Sequence, residues 1–224
     1  MIGRMREMEQ KNTGAGILLI SLLLLGCIHL SVQASGYLPQ PKHPSTGLFL
    51  VASKQMNSSY FAKTVIMLVS ADKSGAMGLI INRPTPHLLS DAIPSLKGHE
   101  AGKRRVYGGG PVMLRMYSML FQSQQPPKQS RHITEDIYFS NNEQVFLDQA
   151  QISLQSSKIF FGYAGWEAGQ LELEIKKGGW HLVAADPAIV FQKETENIWR
   201  ELTSVVGTHW TKREGRNASF VVMR

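Results

Sequence analysis

The stretch Ile159-Phe-Phe-Gly-Tyr-Ala-Gly-Trp-Glu-Ala-Gly-Gln-Leu-Glu-Leu-Glu-Ile175 decides how this chain is read. Its apolar opening, Ile159 to Phe161, has the length of a buried strand. Gly162 and Gly165 interrupt it. From Trp166 to about Lys177, good helix formers (Ala168, Gln170, Leu171, Glu172, Leu173, Glu174) predict a helix, which Gly178 and Gly179 end. Glycines at 162, 165 and 169 permit close backbone approach, and the first free N–H groups of such a helix offer an anion site. A strand, a glycine turn and a helix start make a junction suited to holding a ligand. They do not specify which one.

Strand signals lie on both sides of this junction. Gly47–Ser53, Thr64–Ser70 and Ala76–Asn82 are apolar runs, and Asp72-Lys-Ser-Gly75 between the last two predicts a hairpin turn. Asn82-Arg-Pro-Thr-Pro86 stops the third strand, since proline cannot continue a ladder. Leu88–Leu96 predicts a short helix broken at Pro94. Arg104–Tyr107 is a short strand entering Gly108-Gly-Gly-Pro111, and Met116–Phe121 is another strand. Residues 122–131, with Pro126-Pro127, form a polar loop. Ile133–Phe139 is extended, and Ser140-Asn-Asn-Glu143 has capping-box spacing before a helix to about Ala150. Trp180–Ala184 is a strand, Asp186-Pro187 caps a helical turn, and Glu194–Val206 is the last helix.

The 224 residues, 43% hydrophobic and 18% charged, suit one globular domain behind a leader. Residues 1–34 have the order of an export signal: basic residues, the apolar core Ile17–Ile28, then Val32-Gln-Ala34 as a cleavage site before Ser35. That core is shorter than the about 20 residues a bilayer span needs. A second reading takes Leu24-Leu-Gly-Cys27 as a lipobox with Cys27 lipidated, which would anchor the chain at a membrane. A third leaves the leader unused and the protein in the cytoplasm. Residues 35–46, with three prolines, form a linker, residues 47–206 the domain, and 207–224 a basic tail.

Cys27, the single cysteine, lies in the leader, so the domain is expected to hold no disulfide and no thiolate metal site. The seven histidines show no ligand spacing, and no metal or cofactor is implied. The net charge is +7, of which the leader supplies +1 (three basic against two acidic residues) and residues 35–224 supply +6. That balance suits an anionic small molecule, a polymer or a protein partner, and nucleic acid only if the protein is cytoplasmic. The clusters Lys103-Arg104-Arg105, Lys176-Lys177 and Lys212-Arg213 read as solvated surface. There is no serine-nucleophile elbow, Walker loop, dinucleotide fingerprint, helix-turn-helix or zinc finger, which weighs against an enzyme.

Four segments together resemble the YqgE/AlgH family, also called UPF0301 or DUF179. They are Gly47-Leu-Phe-Leu-Val-Ala52 with Met56 and Phe61-Ala-Lys-Thr-Val65; Gly75-Ala-Met-Gly-Leu-Ile-Ile-Asn-Arg-Pro84; Gly108-Gly-Gly-Pro-Val112; and Gly162–Glu172 followed by Trp180. The resemblance implies one α/β domain with a mixed, strongly curved pseudo-barrel sheet flanked by helices. It implies no settled biochemical role, and "transcriptional regulator" is a label attached to some members. Family members commonly carry a histidine where Phe121 stands here, and they typically lack an export leader.

Three turns follow strands in this pattern, so Asn82, Arg83, Gly109, Gly110, Gly165, Trp166 and Gln170 are expected around one concave surface. Arg83 would supply the charge, and the N–H groups near Gly110 and Gly165 the neutral donors. The bland alternatives are an Asn82 that fixes its turn, an Arg83 paired with a local acid, and glycines needed only for their own backbones. Gln170 is expected to be buried, and Trp166 and Trp180 to be core or pocket wall. The leading expectation is an exported, non-enzymatic domain that binds an anion or a partner protein. The alternatives are a cytoplasmic transcriptional regulator and a hydrolase or transferase using Asn82, Arg83 and Glu172.

Overall fold

The structure, a computed structural model, describes residues 41–152 and 156–217, with side chains over 41–149 and 156–206. The leader with Cys27, and most of the linker, lie outside the described residues. Ten strands follow in chain order: β1 (Leu48–Ala52), β2 (Val65–Asp72), β3 (Gly75–Ile80), β4 (Pro84–Leu88), β5 (Arg105–Gly108), β6 (Val112–Gln122), β7 (Arg131–Thr134), β8 (Ile137–Ser140), β9 (Ser157–Glu167) and β10 (Trp180–Ala184). Five helices join them: α1 (Leu89–Ala92), α2 (Glu143–Ile152), α3 (Gln170–Lys176), α4 (Pro187–Phe191) and α5 (Thr195–Asn217). The strands lie in the order β10-β1-β2-β3-β9-β6-β8-β7, and β4 and β5 branch off beside β9. Every pairing is antiparallel except β5 with β9. The result is a mixed α/β domain with a curled, half-barrel sheet.

β9 is the axis, and here the sequence reading needs correcting. The strand does not break at Gly162. It runs on to Glu167, and the helix begins at Gln170 rather than Trp166. The alternation explains why: Phe160, Gly162, Ala164 and Trp166 are buried, while Gly165 and Glu167 are exposed. That is a period of two. Gly162 serves backbone crossing instead of a turn, since a Cβ there would lie 2.6 Å from the Gly110 carbonyl oxygen and 2.9 Å from that of Val112. Ile159–Phe161 pair with β5, and Ala164–Glu167 pair on the same path with β3. Gly109 bridges the change of partner, its N–H donating to the Phe161 carbonyl (2.8 Å) and its carbonyl accepting from Ile80 N–H (2.9 Å). Gly162 takes φ +67°, which an L side chain rarely tolerates.

Other departures are local. Pro84 and Pro86 sit inside β4, which is tolerated because β4 pairs on one side only, with β5. The helix expected over 88–96 shrinks to one turn, α1, and a 3-10 turn at Pro94–Leu96. β6 extends back to Val112, and residues 131–140 fold as a hairpin, β7–β8, with Glu135 at φ +47° in its turn. The cap of α2 is Asn142, not Ser140: Asn142 Oδ1 accepts from Gln144 and Val145 N–H, while Ser140 Oγ donates to Gln129. The segment read as a tail from 207 continues α5 to Asn217. The hairpin at Lys73-Ser74 and the Asp186 cap of α4 are as expected.

Three apolar clusters hold the sheet. One face buries Phe49, Val51, Met67, Leu79, Leu120 and Phe160 against α4 and α5 through Val190, Ile198 and Leu202. The opposite face of β10-β1-β2-β3-β9 packs Leu50, Ile66, Ile80, Trp166 and Trp180 under Leu171 of α3 and Phe61 of the β1–β2 connection. A third cluster joins Val106, Met119, Phe121 and Ile159 to Leu89 and to Phe146 of α2. Each such side chain, fully buried, contributes about 1.5–3 kcal/mol. Phe121 is 1% exposed and stacks on Tyr138, so it is a core residue here.

Candidate functional site

The seven residues singled out from the sequence are held by internal bonds. Asn82 Oδ1 accepts from Val65 N–H (2.8 Å) and its Nδ2 donates to the Lys63 carbonyl (2.9 Å), pinning the start of β2. Arg83 Nη2 donates to the Tyr60 carbonyl, and its guanidinium lies 4.6 Å over the Tyr60 ring, so its partner is a carbonyl and not an acid. Tyr60 contacts Phe61 edge-on, and Phe61 meets Trp166 and Trp180. Both indole N–H groups donate to Glu174 Oε2, at 2.9 and 2.8 Å. Gln170 donates to Glu174 Oε1 and accepts from Glu167 N–H.

The β1–β2 connection thus links Asn82 and Arg83 to Trp166 and Gln170, a junction the sequence did not reveal. Gln170, expected to be buried, is exposed. Trp166 is core, at 7% exposure. Gly109 and Gly110 are buried against the β9 backbone, so they form no open anion nest. At the helix start α3 has only seven residues, and the Gln170 side chain turns back to accept from Glu167 N–H just before its cap. None of the seven lines either cavity described next.

A site that sequence reading missed lies across the sheet, where Arg104, Arg105, Tyr107, Ser157, Lys158, Phe191 and Gln192 line a cavity of about 490 Å³. Lys158, near the start of β9, shares the inward face with Phe160, so it is carried into the half-barrel and is 6% exposed. Its Nζ donates to the Ile81 carbonyl (3.1 Å) and sits 4.6 Å from the Tyr107 ring centroid. Among the described residues no carboxylate lines the cavity, although the field of exposed Glu194 reaches Tyr107. Burial alone brings the Lys158 ammonium down to about 8. Arg104 turns the same way, so that member of the basic run is not solvated surface. Its Nη2 donates to the Ser157 carbonyl (2.6 Å) and hydroxyl (2.9 Å). Its Nη1 is buried and makes no hydrogen bond among the described residues.

Burial lowers the Arg104 guanidinium below its ordinary value, although it stays charged. Burial also raises the Tyr107 phenol, against the field of Arg105 and Arg104, and exposed Glu194 adds to the rise. A second, methionine-rich hollow of about 470 Å³ lies at Met77, Met113, Met116, Phe139 and Tyr163, beside the exposed Leu114. Among the described residues, no group of three His, Cys, Asp or Glu side chains could hold a metal ion. No described helix is long and apolar enough to cross a membrane.

The curled mixed sheet with a glycine-crossed central strand defines a class of small α/β domain. The AlgH-like DUF179 family profile matches residues 49–211, and the chain belongs to that family. It is 36% identical over 153 residues to the UPF0301 protein AlgH of Pseudomonas aeruginosa strain PAO1, covering 66% of this chain and 81% of that protein. It is 31% identical over 166 residues to a UPF0301 protein of Pseudoalteromonas translucida, covering 71% and 89%. The solution structure of P. aeruginosa AlgH superposes with a TM-score of 0.63 at 32% identity, covering 75% of this chain and 93% of AlgH. A Corynebacterium diphtheriae crystal structure at 21% identity, also with a TM-score of 0.63, shares the fold.

Proposed function

We propose that this chain is an exported, non-enzymatic binding domain that takes a small anion into the Lys158 cavity. One observation carries the reading: Lys158 and Arg104 are both turned inward, and no carboxylate lines the space between them. Desolvating a cation costs several kcal/mol unless an opposite charge offsets it. A carboxylate or phosphate would provide that charge. Arg105 at the exposed rim and Gln192 add donors, and the Tyr107 and Phe191 rings suit an apolar body behind the charged head.

Calorimetric titration with inorganic phosphate at pH 7 tests this. Binding to the wild-type chain should weaken at least tenfold, about 1.4 kcal/mol, in Lys158→Met. Equal binding by the folded variant and the wild type would place the anion elsewhere or nowhere. Export is supported by the basic, apolar and small-residue order of residues 1–34. N-terminal sequencing from the native host should start at Ser35, or meet a blocked, fatty-acid-labelled Cys27. An intact chain from Met1 in the cytoplasm would overturn export and return the regulator reading.

A further inference from the structure

We propose that Lys158 captures carbonyl compounds: its Nζ forms a reversible imine with a small aldehyde or ketone that carries a carboxylate or phosphate. The inference rests on the anion-binding reading of this cavity and adds a covalent step to it. A buried lysine is ordinarily held as an ammonium by an acid, and this one has none. Its polar contact is a single carbonyl, Ile81, and its other neighbour is the face of Tyr107. An amine in this setting, desolvated and beside other cations, is the arrangement that keeps lysine nucleophilic. Burial supports the point: with a value about 8, roughly a tenth of the amines are neutral at pH 7, against well under a thousandth for a solvated lysine.

Arg104 and Arg105 lie on the lining of the same cavity and can hold the anionic group, leaving the carbonyl carbon beside Nζ. Fixing the two reactants this way raises their effective concentration by orders of magnitude. In the step itself, the nitrogen lone pair attacks the carbonyl carbon and the C=O π pair moves to oxygen, which takes a proton. That proton comes from solvent, because Tyr107 presents its ring face to Nζ. The nitrogen then gives up one proton to solvent, the carbinolamine hydroxyl takes one from solvent and leaves as water, and the C=N bond forms as a protonated imine. Hydrolysis reverses every step, and no oxidant or reductant is involved.

The test uses the intact wild-type chain, so it does not depend on a variant folding. The chain is incubated with glyoxylate and cyanoborohydride at pH 7.5, which fixes any imine as a carboxymethyl amine. Peptide mass spectrometry then compares Lys158 with the exposed Lys73 and Lys177. Lys158 should be labelled at least tenfold faster than either, and added inorganic phosphate should slow Lys158 alone. Neutral acetaldehyde should favour Lys158 less strongly, since it gains from the free amine but not from the arginines, and phosphate should not slow it by competition. Labelling of Lys158 no faster than Lys73, in protein that still binds phosphate, overturns the imine and leaves anion binding intact. Fast labelling with no phosphate binding or competition overturns the anion reading, and with it the proposed ligand class.

Discussion

Gly110→Ala is expected to leave almost no folded protein. A Cβ at residue 110 would lie 2.0 Å from the Tyr163 carbonyl carbon, 2.2 Å from Ala164 N and 2.2 Å from the Tyr163 carbonyl oxygen. All three are backbone atoms of β9, the strand shared by β3, β5 and β6. A side chain could turn away, but this backbone is hydrogen-bonded into the sheet and can move only with it. A loss above about 4 kcal/mol follows, comparable to the whole net stability of many domains. Gly169→Ala is the matched control. It has φ +75° but nothing within 4 Å of its Cβ, so it should cost only about 1–2 kcal/mol. Urea unfolding followed by circular dichroism compares the two. If Gly110→Ala is the milder change, residue 110 does not cross β9 as described.

The second large effect is on the pH dependence of stability. Lys158 titrates near 10.5 when unfolded and at about 8 when folded. Between those values the unfolded chain binds more protons, so stability must rise with pH. The penalty for burying the ammonium is complete below about pH 8 and is relieved as pH climbs from 8 toward 10.5. Relative to Lys158→Met, the wild-type chain should gain about 2 kcal/mol between pH 7 and pH 10. At pH 7 the methionine variant should equal or exceed the wild type, since an apolar side chain of similar length removes the buried charge. The Tyr107 phenol, raised on folding, acts with opposite sign only above its ordinary value near 10. The unfolding free energy of both chains at a series of pH values makes the comparison. A constant difference from pH 7 to pH 10 would mean that Lys158 stays solvated.

That pair of experiments also separates two kinds of information in the chain. The sequence alone determined most strands, because runs such as Phe49–Ala52 and Val65–Val69 are buried on both faces and need no partner to be recognised. It determined the family as well, through short ordered motifs whose glycines are those the β9 crossing requires. Asn82 was legible only in part: the bland reading had it fixing its own turn, whereas both its polar atoms hold the backbone of Lys63 and Val65, 17–19 residues away.

Gly162 was misread because glycine looks the same in sequence whether it makes a turn or admits a crossing strand. Only the pairing of β9 with three neighbours distinguishes the two. Lys158 was not legible at all. A lysine before an apolar run is ordinarily a solvated flank, and nothing local says that its side chain enters the half-barrel. Its surroundings come from Ile81, 77 residues away, and from Arg104, Tyr107 and Phe191 on β5, its approach and α4. Charge burial depends on what closes over the group. That is a property of the curled sheet and the helix packed on it, and no stretch of this chain carries it alone.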